Sequence, residues 1–274
     1  MRSALLLAAL LAPGLASAQA AGDQFQLVRT TQSEQRSANA MSSSQNSDAL
    51  LERVVAVMPA GIELEYSLPP GSQGDWTFPL RVFQPQSGPR QLRDRPELEK
   101  RIDAWLKNAN LTRAACGHWV SGWNTFRIEC DPEAALRTID SFAIGQLALA
   151  DGAPYTDAQA ERPVPLKAKP DGKGFTAELA MDPKRIREDL AQSDLAAAEL
   201  NGQKLDLDAA RKAHASDQVS GTIKVTIDTA GETRRRARIA TVTITRNGQT
   251  ETRTTTEIVE RRPVRPAAPD PNSI

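Results

Sequence analysis

Two histidines, two cysteines and a 4% share of aromatic residues leave this 274-residue chain poor in the groups that most often do chemistry. His118 and His214 are its only imidazoles, far apart in sequence and in no H-E-x-x-H or comparable metal-ligand spacing. The chain has no G-x-S-x-G elbow, no phosphate-cradling Walker loop and no dinucleotide fingerprint, so the commonest hydrolase, NTPase and dehydrogenase signatures are missing. Net charge is missing too: 34 basic residues balance 34 acidic ones, which removes a global field for nucleic acid or membrane surfaces and leaves only local patches. Beyond the first twenty positions no run is apolar enough to span a bilayer, and nothing repeats with a solenoid period. No cofactor or metal is implied.

The first residues have the layout of an export signal. Arg2 supplies positive charge, Ala4 to Ala12 are apolar, and Pro13-Gly14 break the run before small residues follow. Ala16 and Ala18 suit cleavage before Gln19; Ala18 and Ala20 suit cleavage before Ala21. The apolar run is about half the roughly 20 residues a membrane span requires, and no cysteine follows it to accept a lipid. The expectation is a soluble periplasmic or secreted mature chain without a transmembrane anchor. In such a chain an even cysteine count predicts a Cys116–Cys130 disulfide, rather than a metal site or a thiol nucleophile.

Alternation and turn residues outline the elements. Residues 21–69 supply N-terminal strands: an edge strand around Phe25 to Val28, a mobile Ser/Asn/Gln-rich loop from Ala38 to Ser47, then a pair from Leu50 to Val57 and Ile62 to Leu68 around Pro59-Ala60-Gly61. Residues 70–150 form an inserted segment. It holds a strand with Trp76, Phe78, Leu80 and Val82 at period two, and a helix from Pro96 to Asn108 carrying Leu98, Ile102, Trp105 and Leu106 on one face. A hairpin from Trp119 to Ile128 completes it, stapled to the helix exit by the disulfide. The proline and glycine density of 151–174 reads as a connector. In 175–263 Asp182-Pro183 opens a helix running to Leu200, a shorter helix follows from Asp206 to Ala215, and a three-stranded meander begins near Ile223.

The meander allows a register to be worked out. A three-residue loop at Arg246-Asn247-Gly248 pairs Ile244 with Thr250 and Val242 with Thr252, keeping apolar and threonine residues on one face; a two-residue loop sets Ile244 against Glu251, which the core should reject. With that loop the first turn puts Arg235, Ala237 and Ile239 on the inner face, out of phase with Val242. A bulge near Arg238 to Ala240 is therefore expected. Residues 264–274 are Pro-rich and read as a disordered tail.

Each candidate for chemistry has a plainer reading. His118, beside Trp119 inside the disulfide loop, is a catalytic or ligand-contacting candidate or a structural histidine. His214 reads as solvent-facing. Glu129 and Asp131 flank Cys130 and could share acid and base work in glycoside hydrolysis, but Asp131-Pro132 more simply caps a helix starting at Glu133 with Leu136 and Ile139 on its apolar side. Trp119 and Trp123 suit a ligand surface if exposed and a small core if buried. Arg234, Arg235, Arg236 and Arg238 form a basic run that either presents a cationic patch or guards a solvated strand edge.

The segment Cys116-Gly117-His118-Trp119 and Trp123-Asn124-x-Phe126-x-Ile128-x-Cys130-Asp131-Pro132 resembles uncharacterised exported bacterial proteins, a resemblance that supplies no activity. The flanking strands resemble, in architecture only, the half-barrel sheets of periplasmic lipoprotein carriers. Taken together, the expected fold is α+β: an open half-barrel antiparallel sheet built from both chain ends, with helices on one face and a disulfide-stapled insertion. The expected function is a noncatalytic envelope protein that binds an apolar ligand or a protein partner. A hydrolase acting on an envelope glycan is the alternative, and it requires His118 and a carboxylate to converge in a cleft.

Overall fold

The computed structural model describes residues 19–72, 74, 76–121, 125–144 and 149–264. The expected leader, Trp123 and the tail from residue 265 lie outside the described residues. In chain order the elements are β1 (Gln24–Arg36), β2 (Met41–Met58), β3 (Gly61–Ser67), β4 (Leu80–Pro85), β5 (Gln91–Leu92), α1 (Arg95–Asn108), β6 (Trp119–Ser121), β7 (Thr125–Arg127) and α2 (Ala134–Ser141). There follow β8 (Pro154–Tyr155), β9 (Val164–Pro165), β10 (Lys167–Ala168), β11 (Gly174–Ala180), α3 (Pro183–Leu200), α4 (Leu207–His214), β12 (Gln218–Asp228), β13 (Arg234–Arg246) and β14 (Gln249–Pro263).

Ten strands form one antiparallel sheet in the order β10-β11-β12-β13-β14-β1-β2-β3-β4-β5. Its seam is the pairing of β1 with β14, unbroken from Phe25 opposite Pro263 to Arg36 opposite Thr252. The two chain ends thus meet in one sheet, with five strands on either side of the seam. Two expectations about the N-terminus are corrected here. The first strand is not an edge, since β14 and β2 flank it. The Ser/Asn/Gln-rich segment is not a loop beyond Ala40, because β2 already starts at Met41 and pairs residue by residue with β1. Backbone pairing to a strand itself held by β14 supplies the order that these side chains cannot supply by burial.

Residues directly opposite in an antiparallel pair share a face, and two apolar clusters form on the same face by this rule. The first gathers Leu27, Leu50, Val54, Leu64, Tyr66, Leu80 and Val82 with Leu98, Ile102 and Leu106 of α1 and Ile139 of α2. The second gathers Leu179, Ile223, Val225, Ile227, Val242, Ile244 and Val259 with Ile186 of α3, and with Tyr155 and Leu166 from the 151–174 segment. That segment thus does more than connect: it also provides β8, β9 and β10. The helices fall where their spacing puts them. Pro96 sits in the first turn of α1, the Asp182 side chain accepts the Lys184 N–H at the start of α3, and Asp206 accepts Ala209 N–H at the start of α4. Trp76 and Phe78 precede β4 instead of extending it, since Pro79 has no N–H to continue a ladder.

The β13–β14 register differs from the expected one. Arg246 stands opposite Gln249, so the loop has two residues, Asn247 and Gly248, at φ 50° and 76°. Both central residues of a type I′ hairpin turn need positive φ, and Asn-Gly meets that need with least strain. Ile244 therefore does face Glu251, at a strand end where Arg253 binds the carboxylate at 3.0 Å. The shift in parity also removes the reason for a bulge: β12–β13 and β13–β14 pair without interruption. Arg236 and Arg238 then share the inner face with Ala240, Val242 and Ile244. The irregularity that does occur lies in β2, between Val54 and Ala56.

Candidate functional site

Against the first core lies a cleft of about 1170 Å³. Its floor comes from β1 and β2 (Arg29, Asp48, Leu50), and its apolar walls are Leu68, Trp76 and Phe78 from the β3–β4 connection, Trp105 of α1 and Phe126 of β7. Trp76 is buried and donates its indole N–H to the Glu129 carbonyl at 3.0 Å, which ties the β3–β4 connection to the disulfide segment. Phe126, 48% exposed, is an unusually open aromatic on the rim. Arg29 is held between Asp48 at 3.0 Å and the Phe142 ring, 5.4 Å to the centroid. Across the mouth, Glu129 pairs with Arg127 at 3.5 Å and Arg137 at 3.3 Å. The cleft therefore offers aromatic and aliphatic surface beside paired charges, with one carboxylate shared between two guanidiniums at its mouth.

Cys116 and Cys130 are bonded, with α-carbons 5.6 Å apart, inside the distance of about 7 Å such a bond needs. The bond holds the β6–β7 hairpin, in which Trp119 pairs with Arg127 and Val120 with Phe126, and so fixes the strand that carries Phe126 to the cleft.

The carboxylate that His118 meets is neither Glu129 nor Asp131. His118 is exposed, and its Nδ1 lies 2.7 Å from Glu199 Oε1 at the end of α3; the same oxygen accepts the Trp119 N–H at 3.3 Å. These bonds, His118 first, hold the Glu199 carboxyl below its usual range despite some desolvation. Glu129 is engaged with arginines at the cleft mouth. Asp131 accepts the Glu133 N–H at 3.0 Å, closing the turn ahead of α2, which begins at Ala134. Asp131 is therefore not the cap that the sequence suggested: Glu133 occupies the N-cap position of α2, and no side chain caps the helix. The role of Glu199 had no signal in the sequence, being 81 positions from its partner.

His214 is not solvent-facing but buried, 2% exposed. Its Nδ1 lies 2.9 Å from Asp217 and its Nε2 2.8 Å from Asp194, and Arg246 Nη2 touches both His214 and Asp217. Asp217 follows one turn later and Asp194 comes from α3, so an amphipathic reading of α4 alone could not place the ring. With both nitrogens occupied, His214 cross-braces α3, α4 and the end of β13.

The arginine run is divided by the pleat, and β13 is an internal strand instead of a guarded edge. Arg234 is exposed. Arg235 lies 3.7 Å from Asp228 and 3.6 Å from Glu260. On the inner face Arg236 binds Glu257 at 2.6 Å, and Arg238 binds Asp157 at 2.7 and 3.0 Å and Gln159 at 2.9 Å. Burial pushes the Asp157 carboxyl up, but the Arg238 bonds and the Gln159 N–H outweigh it and hold the group below its usual range. Arg236, Arg238, Asp157 and Glu257 line a second cleft of about 550 Å³, whose charges are matched among themselves. Trp119 is half-exposed on β6.

No family model matches the chain, and no curated protein matches it. Among solved structures, a chain described as "Lipid-protein interactions in lipovitellin" aligns with 92% of this chain at 8% identity and a TM-score of 0.39. This chain spans 26% of the length of that one.

Proposed function

We propose that the protein is a noncatalytic, exported envelope protein, periplasmic or secreted, that holds an apolar ligand in the cleft over β1 and β2. The observation that carries the reading is the cleft itself: Leu50, Leu68, Trp76, Phe78, Trp105 and Phe126 bring apolar surface together in a concavity large enough for a small molecule, beside a comparable polar surface from groups such as Arg29 and Asp48 on the floor and Glu129 and Arg137 at the mouth. The open half-barrel shape, with the helices covering its one concave face, accounts for both apolar clusters forming on the same side of a sheet. The disulfide supports export, because such bonds persist in oxidising compartments.

A fluorescent fatty-acid analogue, dansyl-undecanoic acid, tests the reading on the full mature chain. Saturable enhancement of the probe, lost in Phe126→Asp and in Leu68→Asp while the far-ultraviolet circular dichroism stays unchanged, is the expected result. Equal binding by wild type and both variants removes the cleft from the function.

A further inference from the structure

β3 pairs with β2 only from Leu51 to Met58, so the first part of β2 has β1 on one side and, among the described residues, no strand on the other. Met41 to Ser47 are exposed throughout. The β1–β2 turn bond, Ser37 N–H to Ala40 O, and the bond from Val54 N–H to Asp23 O at the far end set the same alternation. Even-numbered residues of β2 bond to β1, and the backbone groups of Met41, Ser43, Gln45 and Ser47 point outward.

Sheet edges are ordinarily guarded by brevity, by charge or by proline. The two ends of this sheet follow that rule: β10 and β5 are two residues long, β10 begins with Lys167, and Pro165 precedes it. The free stretch of β2 does not. In a chain that is 25% charged, Met-Ser-Ser-Ser-Gln-Asn-Ser carries no charge, no proline and no bulge.

We propose that this edge is a self-association surface, on which a second copy of the chain pairs antiparallel about a two-fold axis at Ser44. Self-complementarity selects the second copy. With Ser44 opposite its own counterpart, Met41 faces Ser47 and Ser43 faces Gln45, so outward-pointing groups meet outward-pointing groups. Four facing pairs then exchange two backbone bonds each, about eight in all. The opposed side chains match as well: Ser42 meets Asn46 and Ser43 meets Gln45, each a hydroxyl against an amide that can both donate and accept, and no like charges are opposed.

The test uses the full mature chain in sedimentation equilibrium over a wide concentration range, followed by cross-linking. Wild type is expected to show a reversible monomer–dimer equilibrium. Gln45→Pro, which removes an outward N–H while sparing the bonds to β1, is expected to be monomeric with an unchanged melting temperature. In a second arm, Ser44→Cys is oxidised with copper phenanthroline beside Ser42→Cys. The register puts the two copies of position 44 about 4.5 Å apart and those of position 42 about 14 Å apart, so Ser44→Cys should form disulfide dimers at least about tenfold faster. A chain that stays monomeric at every concentration, a dimer untouched by Gln45→Pro, or equal cross-linking from the two positions overturns the proposal.

Discussion

Arg261 on β14 and Glu52 on β2, 209 positions apart in the chain, are joined by hydrogen bonds of 3.0 and 2.7 Å at the edge of the first core. The bonds bridge the two strands that flank β1, with the guanidinium carbon 3.3 Å from the centroid of the intervening Phe25 ring. The other oxygen of Glu52 accepts the Tyr66 hydroxyl at 2.8 Å. Burial, with the Glu52 carboxylate beside it, pushes that hydroxyl well above its usual range and keeps it a donor.

Replacing Arg261 by Met leaves the 6%-exposed Glu52 carboxylate without its counter-ion. Breaking a buried pair on one side costs about 3–5 kcal/mol, whereas removing both charges costs much less. Urea unfolding should show a large loss for Arg261→Met and recovery of much of it in the Glu52→Gln/Arg261→Met double variant. Additive losses would mean that the two residues act independently.

The seam these residues brace was legible in the sequence, because each end supplies strands with one apolar face, although each contributes five strands, more than the alternation outlined. So was α1, whose Leu98, Ile102 and Leu106 repeat at helical spacing and are all buried. What the sequence could not show is that the inner face of β13 and β14 is not uniformly apolar. Rejecting an Ile244–Glu251 pair assumed that it was. In the fold a polar strip separates the two cores, and Arg236 and Arg238 are accommodated there because Glu257 and Asp157 arrive from elsewhere in the chain. The same limit hid His118–Glu199 and His214–Asp194, partners brought together only by the docking of α3.

The Asn247-Gly248 turn fixes that register and is open to a direct test. Gly248 holds φ 76°, where an added Cβ meets no neighbour within 4 Å, so the penalty for Gly248→Ala is backbone strain alone. It should amount to about 1 kcal/mol, measured as a lower midpoint with an unchanged denaturant slope. A loss of several kcal/mol would indicate a contact at the turn that the geometry does not contain.

Acid should weaken the junction of α4 and β13. Bonds from Arg246 foremost, and from His214, hold the Asp217 carboxyl below its usual range against the opposing effect of desolvation. A folded-state value below the unfolded one gives stability that is present in full above the unfolded value, near pH 4, and is lost as the pH falls through the folded value. Wild type should therefore lose more stability than Asp217→Asn between pH 5 and about pH 2, the variant being already weakened at neutral pH. Parallel pH profiles for the two proteins would show that Asp217 is not the group responsible.

The disulfide should affect the cleft as well as the stability. It closes a loop of 14 residues, for which constraint of the unfolded chain is worth about 3 kcal/mol, so Cys116→Ala/Cys130→Ala should unfold at lower denaturant by a corresponding amount. The hairpin it holds is otherwise anchored by Glu199, which receives His118 and the Trp119 N–H, by the Trp76 indole on the Glu129 carbonyl and by Ile128 in the first core, none of which grips Phe126 itself. Without the bond, Phe126 loses the fixed position from which it lines the cleft. The double variant should therefore bind dansyl-undecanoic acid more weakly than wild type under conditions where both are fully folded, and the Trp119 amide should exchange faster with deuterium. Unchanged probe affinity together with faster exchange would show that the hairpin is loosened but is not a working wall of the cleft.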